Sequence, residues 1–109
     1  MMRLKSSIPI SKIDCYINFA VKAGKVIWGI DNLERSKIVP LIVLYDSALG
    51  QNSAKQLCEY TRQKRVKTLA LPENYLNSLL KREKVKVLSI TDVSLATAIL
   101  SYCDEEEIS

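Results

Sequence analysis

The spacing of apolar positions changes several times along the chain, and each change marks an element. Ile13, Tyr16, Ile17, Ala20 and Val21 recur at helical spacing. Ser11, three residues before Asp14, gives this helix a start close to a capping box. Gly24 predicts a left-handed close to it. Val26-Ile27-Trp28 is a short β-prone run ending at Gly29. Asp31 is placed to cap a second, short helix through about Ser36. Pro40 then opens Leu41 to Tyr45, whose lack of polar alternation predicts a central strand buried on both faces.

Residues 46–50 read as a loop, with Asp46 at its turn. A helix starting at Asn52 or Ser53 runs to about Lys64, with Ala54, Leu57, Cys58 and Thr61 on one face. A strand over Val66 to Leu71 follows, and Pro72 suits the first turn of the next helix. That helix has Tyr75, Leu76, Leu79 and Leu80 as its apolar side. Lys81 to Lys84 form a charged turn before a last strand with Val85, Val87, Leu88 and Ile90. Thr91 or Asp92 caps a final helix with Val93, Leu95, Ala96, Ala98, Ile99 and Leu100 as its stripe.

Strands and helices therefore alternate nearly end to end. The expectation is an α/β fold: a three-layer α/β/α sandwich around one central mixed, mostly parallel sheet of about four strands. At 109 residues the chain reads as a single domain over 1–109. Residues 1–10 read as a loose lead-in and 104–109 as an acidic tail.

Composition narrows the function classes. The apolar runs are too short to cross a bilayer, and no leader pattern follows Arg3 and Lys5. Cys15, Cys58 and Cys103 are odd in number and form no C-x-x-C pair, which predicts reduced, mostly buried thiols in a cytoplasmic protein. The sequence has no histidine, so it offers no histidine base, no Ser-His-Asp triad and no histidine metal ligand. Three scattered glycines make no phosphate-binding loop. Asp46 and Asp92 follow strands, where α/β enzymes often place acids, but a loop turn and a helix cap are the simpler readings. The expectation is a protein that is not an enzyme, with no catalytic residue, no metal, no cofactor and no small-molecule substrate.

Charge points elsewhere. The net charge is +4. The segment from Asp104 to Glu107 holds four of the twelve acidic residues; without it, sixteen basic residues face eight acidic ones, a net of +8. A body this basic attracts polyanions, although positive charge also serves solubility. Lys22 and Lys25 flank the close of the first helix, and Gly29, Ile30, Asp31 and Asn32 follow at a strand end and helix start. Free backbone amides there would suit a phosphate, Asp31 and Asn32 would suit base edges, and the lysines would hold a backbone by counterion release. A capped helix beside solvated lysines accounts for the same residues. Two further basic clusters, Arg62 to Lys67 and Lys81 to Lys86, lie between a helix and a strand.

Four passages then resemble one family. Ile17 to Val26 with Gly29, the run Leu41 to Asp46, Asn52-Ser53-Ala54-Lys55-Gln56-Leu57, and Ser89-Ile90-Thr91-Asp92-Val93-Ser94-Leu95-Ala96 are similar, in order and spacing, to the ribosomal L-seven-Ae/L-thirty-e superfamily. The chain resembles especially the small bacterial YlxQ-type branch. The resemblance covers about residues 12 to 101. It implies an α/β/α domain that binds kink-turn or similarly bent RNA, without catalysis. It places RNA contacts at Gly29, Ile30, Asp31 and Asn32, flanked by Lys25, and at the turn of Arg82, Glu83, Lys84 and Val85. Arg35 is the nearest basic residue one turn on. The chain departs from the family in its Asp31-Asn32 pair, in a shorter stretch from Gly29 to Asp46, and around Asn77, Ser78 and Leu80. A second reading stands beside the first: a protein-interaction module that kept the fold and lost RNA recognition, with an exposed apolar patch near Trp28. The sequence fixes no oligomeric state.

Overall fold

The computed structural model of the chain describes residues 3–6, 10–101 and 103–106, with side chains over 13–101. The elements in order are β1 (Arg3–Ser6), α1 (Ile10–Lys22), β2 (Val26–Trp28), α2 (Gly29–Arg35), β3 (Ile42–Asp46), α3 (Gln51–Lys64), β4 (Lys67–Leu71), α4 (Tyr75–Leu80), β5 (Val87–Ile90), α5 (Val93–Ser101) and β6 (Cys103–Glu106). The fold is α/β, with five helices among the described residues and one mixed sheet.

The strand order is β2-β5-β3-β4-β1-β6. β3 pairs in parallel with β4, and β4 with β1. β5 runs antiparallel to both β2 and β3, and β6 runs antiparallel to β1. The expected mixed sheet of about four strands is present as β2-β5-β3-β4, and the lead-in and the acidic segment extend it with β1 and β6. One expectation is corrected here. The sheet is not mostly parallel, since three of its five pairings are antiparallel.

The direction of β5 has a physical cause. β4 ends where Leu71 lies opposite Asp46, and β5 starts where Val87 lies opposite Tyr45. The chain thus leaves and re-enters the sheet at one end. The intervening α4 has six residues, about 9 Å of helix. It does not carry the chain back to the far end, as a parallel crossover requires.

β3 is central as expected, bonded on both sides and with four of its five residues buried. Its alternate residues divide between two apolar clusters. Ile42 and Leu44 join Ile13, Ile17, Ala20, Leu76, Ala96 and Ile99 from α1, α4 and α5. Val43 joins Leu33, Leu57 and Tyr60 from α2 and α3.

The first helix closes as the sequence predicts. Gly24 has φ +68°. Its N–H donates to the Val21 carbonyl at 3.1 Å, and the Lys25 N–H donates to the Ala20 carbonyl at 2.9 Å, the paired bonds of a Schellman close. Asp92 caps α5, accepting from the Leu95 N–H at 2.9 Å. Asp31 does not cap α2: the position before the helix is Trp28, with no side-chain cap, and Asp31 stands exposed in the first turn. No helix among the described residues is long and apolar enough to cross a membrane.

Candidate nucleic-acid interface

β2 is an edge strand of the sheet, and its two ends meet different surroundings. Trp28 lies opposite Leu88, at the end where β5 begins. Val26 lies opposite Ile90, at the end where β5 finishes. The start of α2 and the turn before β5 are thereby neighbours. Arg82 bridges them, its guanidinium carbon 4.3 Å from the centre of the Trp28 ring. A guanidinium over an indole face is held by the ring quadrupole and leaves its outer plane available for stacking.

Gly29, Ile30, Asp31 and Asn32 follow directly. Gly29 enters the helix at φ +76°, a left-handed conformation that residues with a Cβ disfavour. Ile30 is half-buried and packs against the α2–α3 cluster. Asn32 donates from Nδ2 to the Trp28 carbonyl at 2.9 Å, which commits its amide locally. Arg35 stands exposed in the last turn. Across from them, Lys84 is exposed at φ +63° and Val85 is half-buried.

Lys22 and Lys25 do not belong to this corner. The Lys25 carbonyl accepts from the Thr91 N–H at 3.0 Å, at the opposite end of β2. Lys25 there lines a hollow of ≈ 370 Å³ with Ile38, Thr91, Asp92, Val93 and Ser94. Lys22 lies in the last turn of α1, beside Asn18 and Phe19. Of the ten residues expected at the site, the structure thus brings the segment Gly29 to Asn32 and the turn holding Arg82, Lys84 and Val85 to one end of β2, leaves Arg35 in the last turn of α2, and sets Lys22 and Lys25 apart.

Exposed apolar surface also lies away from Trp28, which is half-buried under Arg82. Ile38 is 62% exposed and Val93 67% exposed, both on the hollow beside Lys25. Phe19, Val39 and Leu41 are exposed as well. Cys15 is exposed and Cys58 half-buried, so the expectation of mostly buried thiols does not hold for these two; the Cys103 side chain lies outside the described residues.

Sequence reasoning missed three residues that shape the corner. Asp46 reads as a loop turn but is fully buried. Its carboxylate accepts from the Ala48 N–H at 2.7 Å and the Asn74 N–H at 2.9 Å, and Lys86 Nζ stands 3.5 Å away. Burial pushes the Asp46 carboxyl up, but the two amides and the Lys86 ammonium outweigh it and hold the group below its ordinary value. Asn74 and Asn77 form the start and middle of α4 and connect Asp46 to the turn. The signal that could have found Asp46 was its place at the end of the most apolar strand.

No family model matches the chain, and no curated protein matches it. Among solved structures it is similar to a protein of unknown function from Bacillus halodurans C. The TM-score is 0.73 at 12% identity, over 82% of this chain and 93% of that one. At that identity the likeness concerns the fold alone.

Proposed function

We propose that this chain is a non-catalytic RNA-binding protein of the L-seven-Ae/L-thirty-e superfamily, built as a three-layer α/β/α sandwich and working in the cytoplasm. Its RNA is ribosomal or another structured RNA with a kink-turn-like bend. The observation that carries this reading is the Arg82–Trp28 stack. It ties the turn that the family resemblance assigns to RNA to the residue just before the other such segment, Gly29 to Asn32, at one end of an edge strand. Unstacked bases in bent RNA are bound on aromatic rings and guanidinium planes. Lys84, exposed in the same turn as Arg82, and Arg35, exposed in the last turn of α2, supply positive charge for a phosphate backbone.

The test is binding to a kink-turn RNA and to a straight duplex of equal length, at two salt concentrations. Kink-selective binding that falls with salt, and that Arg82→Ala weakens by about tenfold, is the expected result. Lys25→Ala, at the other end of β2, should weaken binding less. Equal binding to both RNAs, or none, overturns the reading.

A second reading rests on Ile38 and Val93, the exposed apolar pair beside Lys25. In it, this hollow docks a protein and the corner reads no RNA. A stable oligomer in light scattering that Val93→Ser dissolves, together with no RNA binding, would favour it.

A further inference from the structure

The turn that carries Arg82 is held from outside itself. Lys81 and Lys84 have φ of +53° and +63°. Side chains with a Cβ disfavour that conformation, and it persists where surrounding bonds over-determine it. Here one residue binds both ends of the turn. The Arg82 N–H donates to the Asn77 carbonyl at 3.1 Å. The Val85 N–H donates to Asn77 Oδ1 at 2.7 Å. Asn77 is fixed in its turn, since its Nδ2 donates to Asn74 Oδ1 at 3.0 Å. The Asn74 N–H donates to Asp46 Oδ2 at 2.9 Å, and Lys86 Nζ pairs with the same oxygen at 3.5 Å. A continuous line of polar contacts therefore runs from the buried end of β3, through the start of α4, to the turn beside Trp28.

Building on the RNA-binding reading above, we propose that Asn77, anchored to Asp46 through Asn74, is a positioning residue that sets the Arg82–Val85 turn so that Arg82 lies over Trp28. Asn77 itself touches no RNA in this account. Its side chain acts as a two-sided clamp, with the carbonyl oxygen holding the turn and the amide nitrogen holding the anchor. An aspartate or a leucine offers one of those two functions or neither. The left-handed lysines then present their side chains outward, and the guanidinium is arranged before RNA arrives, which lowers the ordering cost of binding.

The test uses Trp28 as its own reporter, because it is the only tryptophan in the chain. Arg82→Ala uncovers the ring and shifts its emission. Asn77→Ala should shift it in the same direction, and adding Arg82→Ala to that variant should change little more. Affinity for kink-turn RNA should fall in Asn77→Ala by about fivefold. Asn74→Gly keeps both the left-handed backbone (Asn74 has φ +65°) and the bond to Asp46, and it removes only the side-chain oxygen that holds Asn77. It should fold and move the emission part of the way, which keeps the test open if Asn77→Ala loses its helical circular dichroism. Wild-type emission in both Asn77→Ala and Asn74→Gly, or full additivity of Asn77→Ala with Arg82→Ala, overturns the proposal. The emission arms need no RNA. A wild type that binds no RNA therefore overturns the functional reading, while the emission cycle still supports or overturns the role of Asn77.

Discussion

Asp46 shows how one buried charge organises a surface. It accepts two backbone N–H groups and faces Lys86 from a fully buried position. Removing the carboxylate loses both amide bonds, which are charge-assisted, together with the Lys86 pair. Asp46→Ala should therefore destabilise the fold by about 2–3 kcal/mol in denaturant unfolding. The pH dependence has a definite sign. The folded-state carboxyl lies below its ordinary value, so its stabilisation is complete above the unfolded value of about 4. It is lost as pH falls below that point through the folded value. The stability gap between wild type and Asp46→Ala should be widest near neutral pH and narrow in acid. A gap that is constant with pH would mean that the charge is not what matters.

The sequence placed Asp46 after a strand but not in the interior. Burial there depends on Asn74, a residue 28 positions away, and on how β4 returns beside β5. Local periodicity contains no such information. The Arg82–Trp28 stack was hidden for the same reason, since it depends on β2 pairing with β5.

At the scale of elements, most of the pattern was legible because it is local. The α1 stripe, the Gly24 close, the apolar β3 run and the Asp92 cap each follow from a few neighbouring residues. The exceptions are left-handed positions without glycine. Arg65 closes α3 at φ +58°, its N–H bonded to the Thr61 carbonyl, where a glycine would have announced the cap. Arg65→Gly should therefore stabilise the protein by about 1 kcal/mol in thermal or urea unfolding. A loss of stability would show that the arginine side chain contributes more than its backbone strain. Gly29 is the converse case. Open space surrounds a Cβ built there, so only the backbone at φ +76° opposes one. Gly29→Ala should cost about 1–2 kcal/mol and alter Trp28 emission, because the strained residue follows the ring directly.

Across the whole molecule, sheet order separates features that the sequence left free to meet. The acidic strand β6 lies at one edge of the sheet and β2 at the other, with four strands between them. The backbone of Asp104 to Glu106 thus lies at the opposite edge of the sheet from Trp28. Composition marked the basic segments and the acidic one, but their separation depends on sheet order and on β1 and β6, two strands that local pattern did not predict. The same order sends Lys25 to the far end of β2 from Gly29, so the basic residues of one short segment face two different regions.

The most direct test is to titrate the isotopically labelled protein with kink-turn RNA and follow every backbone amide. The largest shifts should fall on Trp28 to Asn32 and on Arg82 to Lys86, with smaller ones at Asn74 and Asn77. Amides at Ile38 and at Thr91 to Ser94 should stay near their free positions. Shifts concentrated around Lys25, Ile38 and Val93, with the Trp28 corner unchanged, would contradict RNA binding at that corner.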